Sequence, residues 1–172
     1  MKLKERTVRK NYVYRGKIIN VRCDDAELPD GRACRREIVE HSGGAAVLCV
    51  KDGKIALVRQ YRYAYGEEIY EIPAGKLNAG EDPEQAAGRE LTEETGLIAS
   101  RLVLLFTLYP SPGYTNEKIY IYRAEGVEEG VQKLDEGEFL DAEFLPVEEV
   151  KEMIARGEIR DAKTIVAVQS LT

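Results

Sequence analysis

Apolar and polar positions along this chain form short runs punctuated by glycine and proline, a pattern of many strands and few helices. Residues 12–28 are rich in β-formers and close on Pro29-Asp30-Gly31, a turn signal, after which 35–40 reads as a returning strand. This predicts an antiparallel hairpin in an N-terminal β arm or subdomain spanning 1–42. Apolar runs at 45–50 and 55–61 flank Asp52-Gly53, the signal of a tight hairpin. Residues 69–72 give a short strand ended by Pro73, and 102–109 a strand stopped by Pro110 and Pro112. Over 118–123, Ile119 and Ile121 alternate with Tyr120 and Tyr122, as in a strand with two unlike faces.

Helical signals are fewer. Asp82-Pro83-Glu84-Gln85 offers an N-cap, a proline at the first helical position and a capping-box glutamine. The helix is expected to run to about Thr95, with Gly96 as its stop. A second spans 147–156 before Gly157, and Asp161 caps a third reaching about Leu171. The fold class is therefore α/β (α+β), a mixed sheet sandwiched between helices over 43–172, with the antiparallel arm before it.

Composition narrows the function. The chain has 172 residues, enough for one domain with a proper core, and 33% of them are charged. A net charge of −6 argues against a broad nucleic-acid footprint, although bound cations reverse the sign of a single site. Cys23, Cys34 and Cys49 make no metal or disulfide spacing and read as reduced thiols of a cytoplasmic protein. His41 is the only histidine, which disfavours a histidine-based zinc site, and it is expected to be structural or exposed. The charged start shows no secretory h-region, and no apolar run is long enough to span a membrane.

The chemistry gathers at 75–97. On a helix, Glu90 pairs with Glu94 at i,i+4 and with Glu93 at i,i+3, so three carboxylates share one side. Ala86, Ala87 and Leu91 give the same helix a small apolar face that presses on the sheet. At about 4 Å and an effective dielectric of about 20, each like-charge pair costs about 4 kcal/mol. Arg89 is expected to pair with one carboxylate, such as Glu93, which leaves the rest in need of cations. Grouped hard oxygens suit magnesium or manganese, with substrate phosphate completing the shell. Gly75 and Gly80 let a loop approach closely, and the Ala74 carbonyl is positioned to join.

The run from Gly75 to Leu97 matches G-x5-E-x7-R-E-U-x-E-E-x-G-U, U being aliphatic, at every fixed position. With residue usage near 6–7%, chance agreement is on the order of 10⁻⁷. The sequence thus resembles the Nudix hydrolases. The resemblance implies cleavage of a nucleoside diphosphate linked to a further moiety, by water and divalent metal, two or three ions per site. Glu90, Glu93 and Glu94 are then metal ligands or, in one case, the general base. Arg89 orients a glutamate, and Glu81 is a further contributor.

Flanking segments resemble the ADP-ribose pyrophosphatase branch. Pro112 in Pro110-Ser111-Pro112-Gly113-Tyr114-Thr115-Asn116-Glu117 matches its proline beyond the box, and Glu117 its loop glutamate, a candidate base. Val58-Arg59-Gln60-Tyr61-Arg62 resembles a strand with a substrate-binding arginine, best matched by Arg62; Arg35-Arg36-Glu37-Ile38 supplies another, Arg36. Glu71-Ile72-Pro73-Ala74-Gly75 matches the approach to the box. Catalytic candidates are Glu117, Glu93 and Arg89; metal candidates Ala74, Glu90, Glu93 and Glu94; substrate candidates Arg36, Arg62, Glu71 and Gly113. What the resemblance implies is an enzyme converting ADP-ribose to AMP and ribose 5-phosphate, a homodimer through arm 1–42. The alternatives are another nucleotide sugar such as GDP-mannose, a dinucleotide, or a non-catalytic ligand sensor.

Overall fold

The computed structural model describes residues 3–171; Met1, Lys2 and Thr172, the outer ends of the two expected domains, lie outside them. The chain forms two compact units, 1–43 with 109–118, and 44–108 with 119–172. The segment 109–118, which the sequence reading grouped with the second domain, belongs to the first unit.

The first unit is a four-stranded antiparallel sheet built on β3 (Ile19–Glu27). Strand β4 (Ala33–His41) pairs with it in register from Ile19 opposite His41 to Glu27 opposite Ala33. The expected turn joins them, with Gly31 at φ 87°, a left-handed conformation that favours glycine. Strands β1 (Arg6–Arg9) and β2 (Tyr12–Arg15) share the other edge of β3. The charged start hid β1, whose four residues are all exposed. Segment 109–118 lies along β4: the Val39 N–H donates to the Tyr114 carbonyl at 2.7 Å, and the Asn116 N–H to the Val39 carbonyl at 3.2 Å.

The second unit holds two more four-stranded sheets. In one, β5 (Gly44–Leu48) lies between β9 (Ala74–Lys76) and β11 (Ile119–Glu129), to which it is parallel, and β10 (Leu97–Leu108) lies outside β11. In the other, β7 (Lys54–Arg62) pairs with β12 (Leu140–Pro146) on one side and with β6 (Val50–Lys51) and β8 (Glu67–Glu71) on the other. The Asp52-Gly53 turn forms with both φ values positive, 51° and 73°. Its hairpin is shorter than expected, because only Val50 and Lys51 pair with β7. The apolar run before them changes sheet at Cys49. Every residue of β5 is buried, so its backbone groups need a neighbour on both edges, which β9 and β11 provide.

That strand divides the core. Ala46 and Leu48 face Ile55, Leu57, Ile72, Val150 and Ile159; Ala45, Val47 and Cys49 face Ala86, Ala87 and Leu91. The second group carries α1 (Pro83–Thr95), whose alanines let it pack closely on the sheet. The first group carries α2 (Val147–Ala155) and α3 (Ala162–Gln169). Among the described residues no helix is long and apolar enough to cross a membrane.

Candidate active site

Helix α1 starts and stops where its caps dictate. The Asp82 carboxylate accepts the N–H groups of Glu84 and Gln85, and Gly96 adopts φ 72° while its N–H donates to Thr92. The loop after β11 then crosses the helix end. The Lys133 N–H donates to the Glu93 carbonyl at 3.0 Å and the Gln132 amide to the Glu94 carbonyl at 2.6 Å, satisfying carbonyls that a helix terminus leaves free.

On the polar side of α1, Glu90 and Glu94 are buried, 8% and 4% exposed. Arg89 does more than pair with one carboxylate. Its Nε lies 2.9 Å from Glu81 Oε1, and its Nη1 lies 2.7 Å from Glu90 Oε1 and 2.8 Å from Glu93 Oε2. A guanidinium offers five N–H donors in a fixed fork, so one arginine serves three acceptors converging on it. The glycine at 75 is a spatial requirement: a Cβ there would stand 2.0 Å from Glu90 Oε1.

Among the described residues Glu94 makes no ion pair, and Arg62 acts on it only electrostatically. Its Oε2 accepts the Ala74 N–H at 2.9 Å. Burial pushes its carboxyl up to about 8; the Ala74 bond opposes this, and the charges of Glu90, Glu138 and Glu71 add to it. Glu90 is also raised, first by burial, against the pull of Arg89. Two buried carboxylates one helical turn apart, one of them uncompensated, fit a divalent cation that prefers oxygen ligands. As arranged, no three His, Cys, Asp or Glu side chains close around a single point among the described residues. Arg89 draws Glu81, Glu90 and Glu93 toward itself, while Glu94 is tied to Ala74.

Arg62 stands at the same end of this unit, because it holds Glu71, three residues before the Ala74 that binds Glu94; burial opposes its charge, and Glu71, Glu94 and Asp161 stabilise it. Its Nε donates to Glu71 Oε2 at 3.0 Å. Glu71, expected to touch substrate, is instead 4% exposed with both oxygens engaged, Oε2 by Gln60 and Arg62 and Oε1 by Lys163. A buried carboxylate must be paired, so it serves the arginine. Nearby, a cleft of about 350 Å³ is lined by Arg59, Gln60, Tyr61, Glu138 and Phe139 among others.

The remaining candidates belong to the first unit. Arg36 is exposed and held by Glu5, Nη2 to Oε1 at 2.6 Å. Gly113 lies in the turn after Pro112, with open space where a Cβ would go. Glu117 Oε1 lies 3.3 Å from His41 Nδ1, so the lone histidine has a partner that its distance in sequence concealed. Sequence reasoning also missed Glu138 and Lys163. Glu138, in an exposed loop without periodicity, acts electrostatically on both Glu90 and Glu94. Lys163, in the helix that Asp161 caps, is 8% exposed.

The NUDIX domain profile matches residues 39–168, and that of the nucleoside diphosphate sugar hydrolase N-terminal domain matches 5–39. The chain is 44% identical to the ADP-ribose pyrophosphatase of Bacillus subtilis (strain 168), covering 98% of this chain and 93% of that one. It is 41% identical to the methanol dehydrogenase activator of Bacillus methanolicus, covering 97% and 92%. A crystal structure of an ADP compounds hydrolase superposes with a TM-score of 0.85 at 23% identity, covering 98% and 92%, which is a likeness of fold.

Proposed function

The chain belongs to the Nudix family of hydrolases, and from that premise we propose that it cleaves the diphosphate of ADP-ribose, yielding AMP and ribose 5-phosphate. The observation that carries the reading is the buried pair Glu90 and Glu94 with Arg62 at the same end of the unit. Buried carboxyl groups that a cation would ionise, with a half-exposed guanidinium at the same end of the unit, suit a diphosphate.

The residues that would hold magnesium, or manganese in its place, are Glu90, Glu94, Glu93 and the Ala74 carbonyl, with Glu81 contributing. Two or three such ions, when bound, neutralise the diphosphate and lower the pKa of water. The chain's own part is to bind and to accept a proton. Arg62 takes a phosphoryl oxygen, and Arg36 and Gly113 are the other substrate candidates to test. Water forms one bond to phosphorus, the bridging P–O bond breaks, and the water's proton passes to a carboxylate. Glu138 is favoured as acceptor, because it is exposed and in the same compact unit as the pair it acts on. Glu117 and a box glutamate are the other acceptors to test. Arg89 keeps Glu93 and Glu90 oriented.

Product analysis over ADP-ribose, GDP-mannose, NADH and diadenosine polyphosphates with magnesium tests the reading. AMP and ribose 5-phosphate in equal amounts from ADP-ribose are expected, with the other substrates turned over more slowly. No turnover of any of them overturns the enzymatic reading, and faster GDP-mannose turnover moves the substrate to the wider nucleotide-sugar class that the N-terminal match describes. The three free cysteines favour a reducing cytoplasm. Exposed Val8, Val13 and Tyr14 on β1 and β2 favour a homodimer through the arm, which sedimentation would show as twice the chain mass.

A further inference from the structure

Helix α3 reaches the site through a buried chain of polar contacts. Asp161 caps the helix, its Oδ2 accepting the Thr164 N–H at 3.0 Å and hydroxyl at 2.6 Å. Thr164 in turn accepts the Ile72 N–H at 2.8 Å, two residues before the Ala74 that holds Glu94. From the same cap, Asp161 Oδ1 lies 3.1 Å from the Lys163 ammonium, which donates to Glu71 Oε1, also at 3.1 Å. Two cations, Arg62 and Lys163, thus balance two carboxylates, Glu71 and Asp161, so that no charge of the four is buried unpaired.

The division of the Glu71 oxygens is informative. Lys163 donates to Oε1, while Arg62 places both Nε and Nη2 on Oε2, which also accepts from Gln60. An arginine facing a free carboxylate prefers the two-pronged arrangement, one nitrogen on each oxygen. The Lys163 ammonium stands at the oxygen that such a closure would use. The guanidinium keeps a half-exposed edge, and its Nη1 has no protein acceptor among the described hydrogen bonds. From this we infer that Lys163 is a positioning residue: by claiming one oxygen of Glu71 it keeps Arg62 from locking onto that carboxylate and leaves it free to take a phosphoryl oxygen of the substrate. The inference rests on the diphosphatase reading, and it assigns to α3 a part in substrate affinity.

Lys163→Met tests it. Without the ammonium, Arg62 closes on both oxygens of Glu71. KM for ADP-ribose should rise about tenfold with kcat within about twofold, and the Kd for inorganic pyrophosphate, measured by calorimetry in EDTA, should rise in parallel. In the double variant Lys163→Met with Glu71→Gln, the carboxylate that captures Arg62 is gone, and both constants should return toward wild type. A purely structural role does not give this rescue. Unchanged KM and Kd in a folded Lys163→Met protein, a fall in kcat at constant KM, or a double variant no better than the single overturns the inference. Should Lys163→Met fail to fold, Lys163→Gln keeps a weaker, neutral donor at Oε1; a KM increase of about threefold is then expected, and none overturns it. Wild-type protein that binds pyrophosphate but turns over no diphosphate substrate counts against the function proposed above and leaves the Kd comparison to judge Lys163.

Discussion

Replacing Glu94 by glutamine should stabilise the metal-free protein at alkaline pH while abolishing activity. The carboxyl of Glu94 is 4% exposed and held at about 8, against an ordinary 4.5, chiefly by burial. The protonated form is therefore the one the fold prefers. Below about pH 4.5 the folded and unfolded chains both carry the proton, and the group costs nothing. As pH rises further the unfolded chain releases its proton while the folded chain keeps it, so stability falls until the folded group ionises near 8, where the loss is complete. At about 1.36 kcal/mol per pH unit, the full loss is on the order of 5 kcal/mol. Glutamine has the same shape, carries no charge and still accepts the Ala74 N–H. Urea denaturation in EDTA at pH 6 and pH 9 measures the effect. Wild type should lose about 3 kcal/mol of the Glu94 contribution across this range, since about 2 pH units of it lie above pH 6, and Glu94→Gln should lose much less, the remainder coming from Glu90, whose raised carboxyl works in the same direction. Magnesium should restore wild type at pH 9 and leave the variant nearly unmoved. Equal pH dependence of the two proteins in EDTA would refute the claim that Glu94 is buried without an ion-pair partner. With substrate and magnesium, kcat of the variant should fall at least ~10²-fold.

Three further outcomes bear on the site. Glu138→Gln should lower kcat at least ~10²-fold at nearly constant KM, whereas Glu117→Gln should cost less than ~10-fold; the reverse order in steady-state kinetics assigns the proton to the loop near His41. Arg62→Lys keeps the charge and loses the planar fork, so KM for ADP-ribose should rise about tenfold, and an unchanged KM removes Arg62 from the substrate site. Gly75→Ala drives a methyl to 2.0 Å from Glu90 Oε1. Displacing that carboxylate should raise the magnesium concentration for half-maximal rate ~10-fold or more, and wild-type magnesium dependence would show that the close approach is not needed.

What could be read in the sequence was whatever short-range rules determine. The helix carrying the acidic side follows from Asp82, Pro83 and Gly96, and the i,i+4 spacing of Glu90 and Glu94 from the helical repeat; all of these form as expected. What escaped depends on tertiary neighbours. Strand β5 has the same apolar run whether it pairs with β7 or lies between β9 and β11, and only burial on both faces decides. Glu71 sits four residues before a strong motif and so invited a substrate role, but a carboxylate that becomes 4% exposed is claimed by whichever cations the fold brings to it. Those cations come from Arg62, nine positions away, and Lys163, ninety-two positions away. The same holds for His41, whose carboxylate is distant in sequence, and for Glu138, which the loop over the end of α1 carries to the acidic side. The motif therefore specifies a set of oxygens, and the folded chain specifies how each is served: Arg89 pairs with Glu81, Glu90 and Glu93, while Glu94, the most deeply buried, is held by the Ala74 N–H.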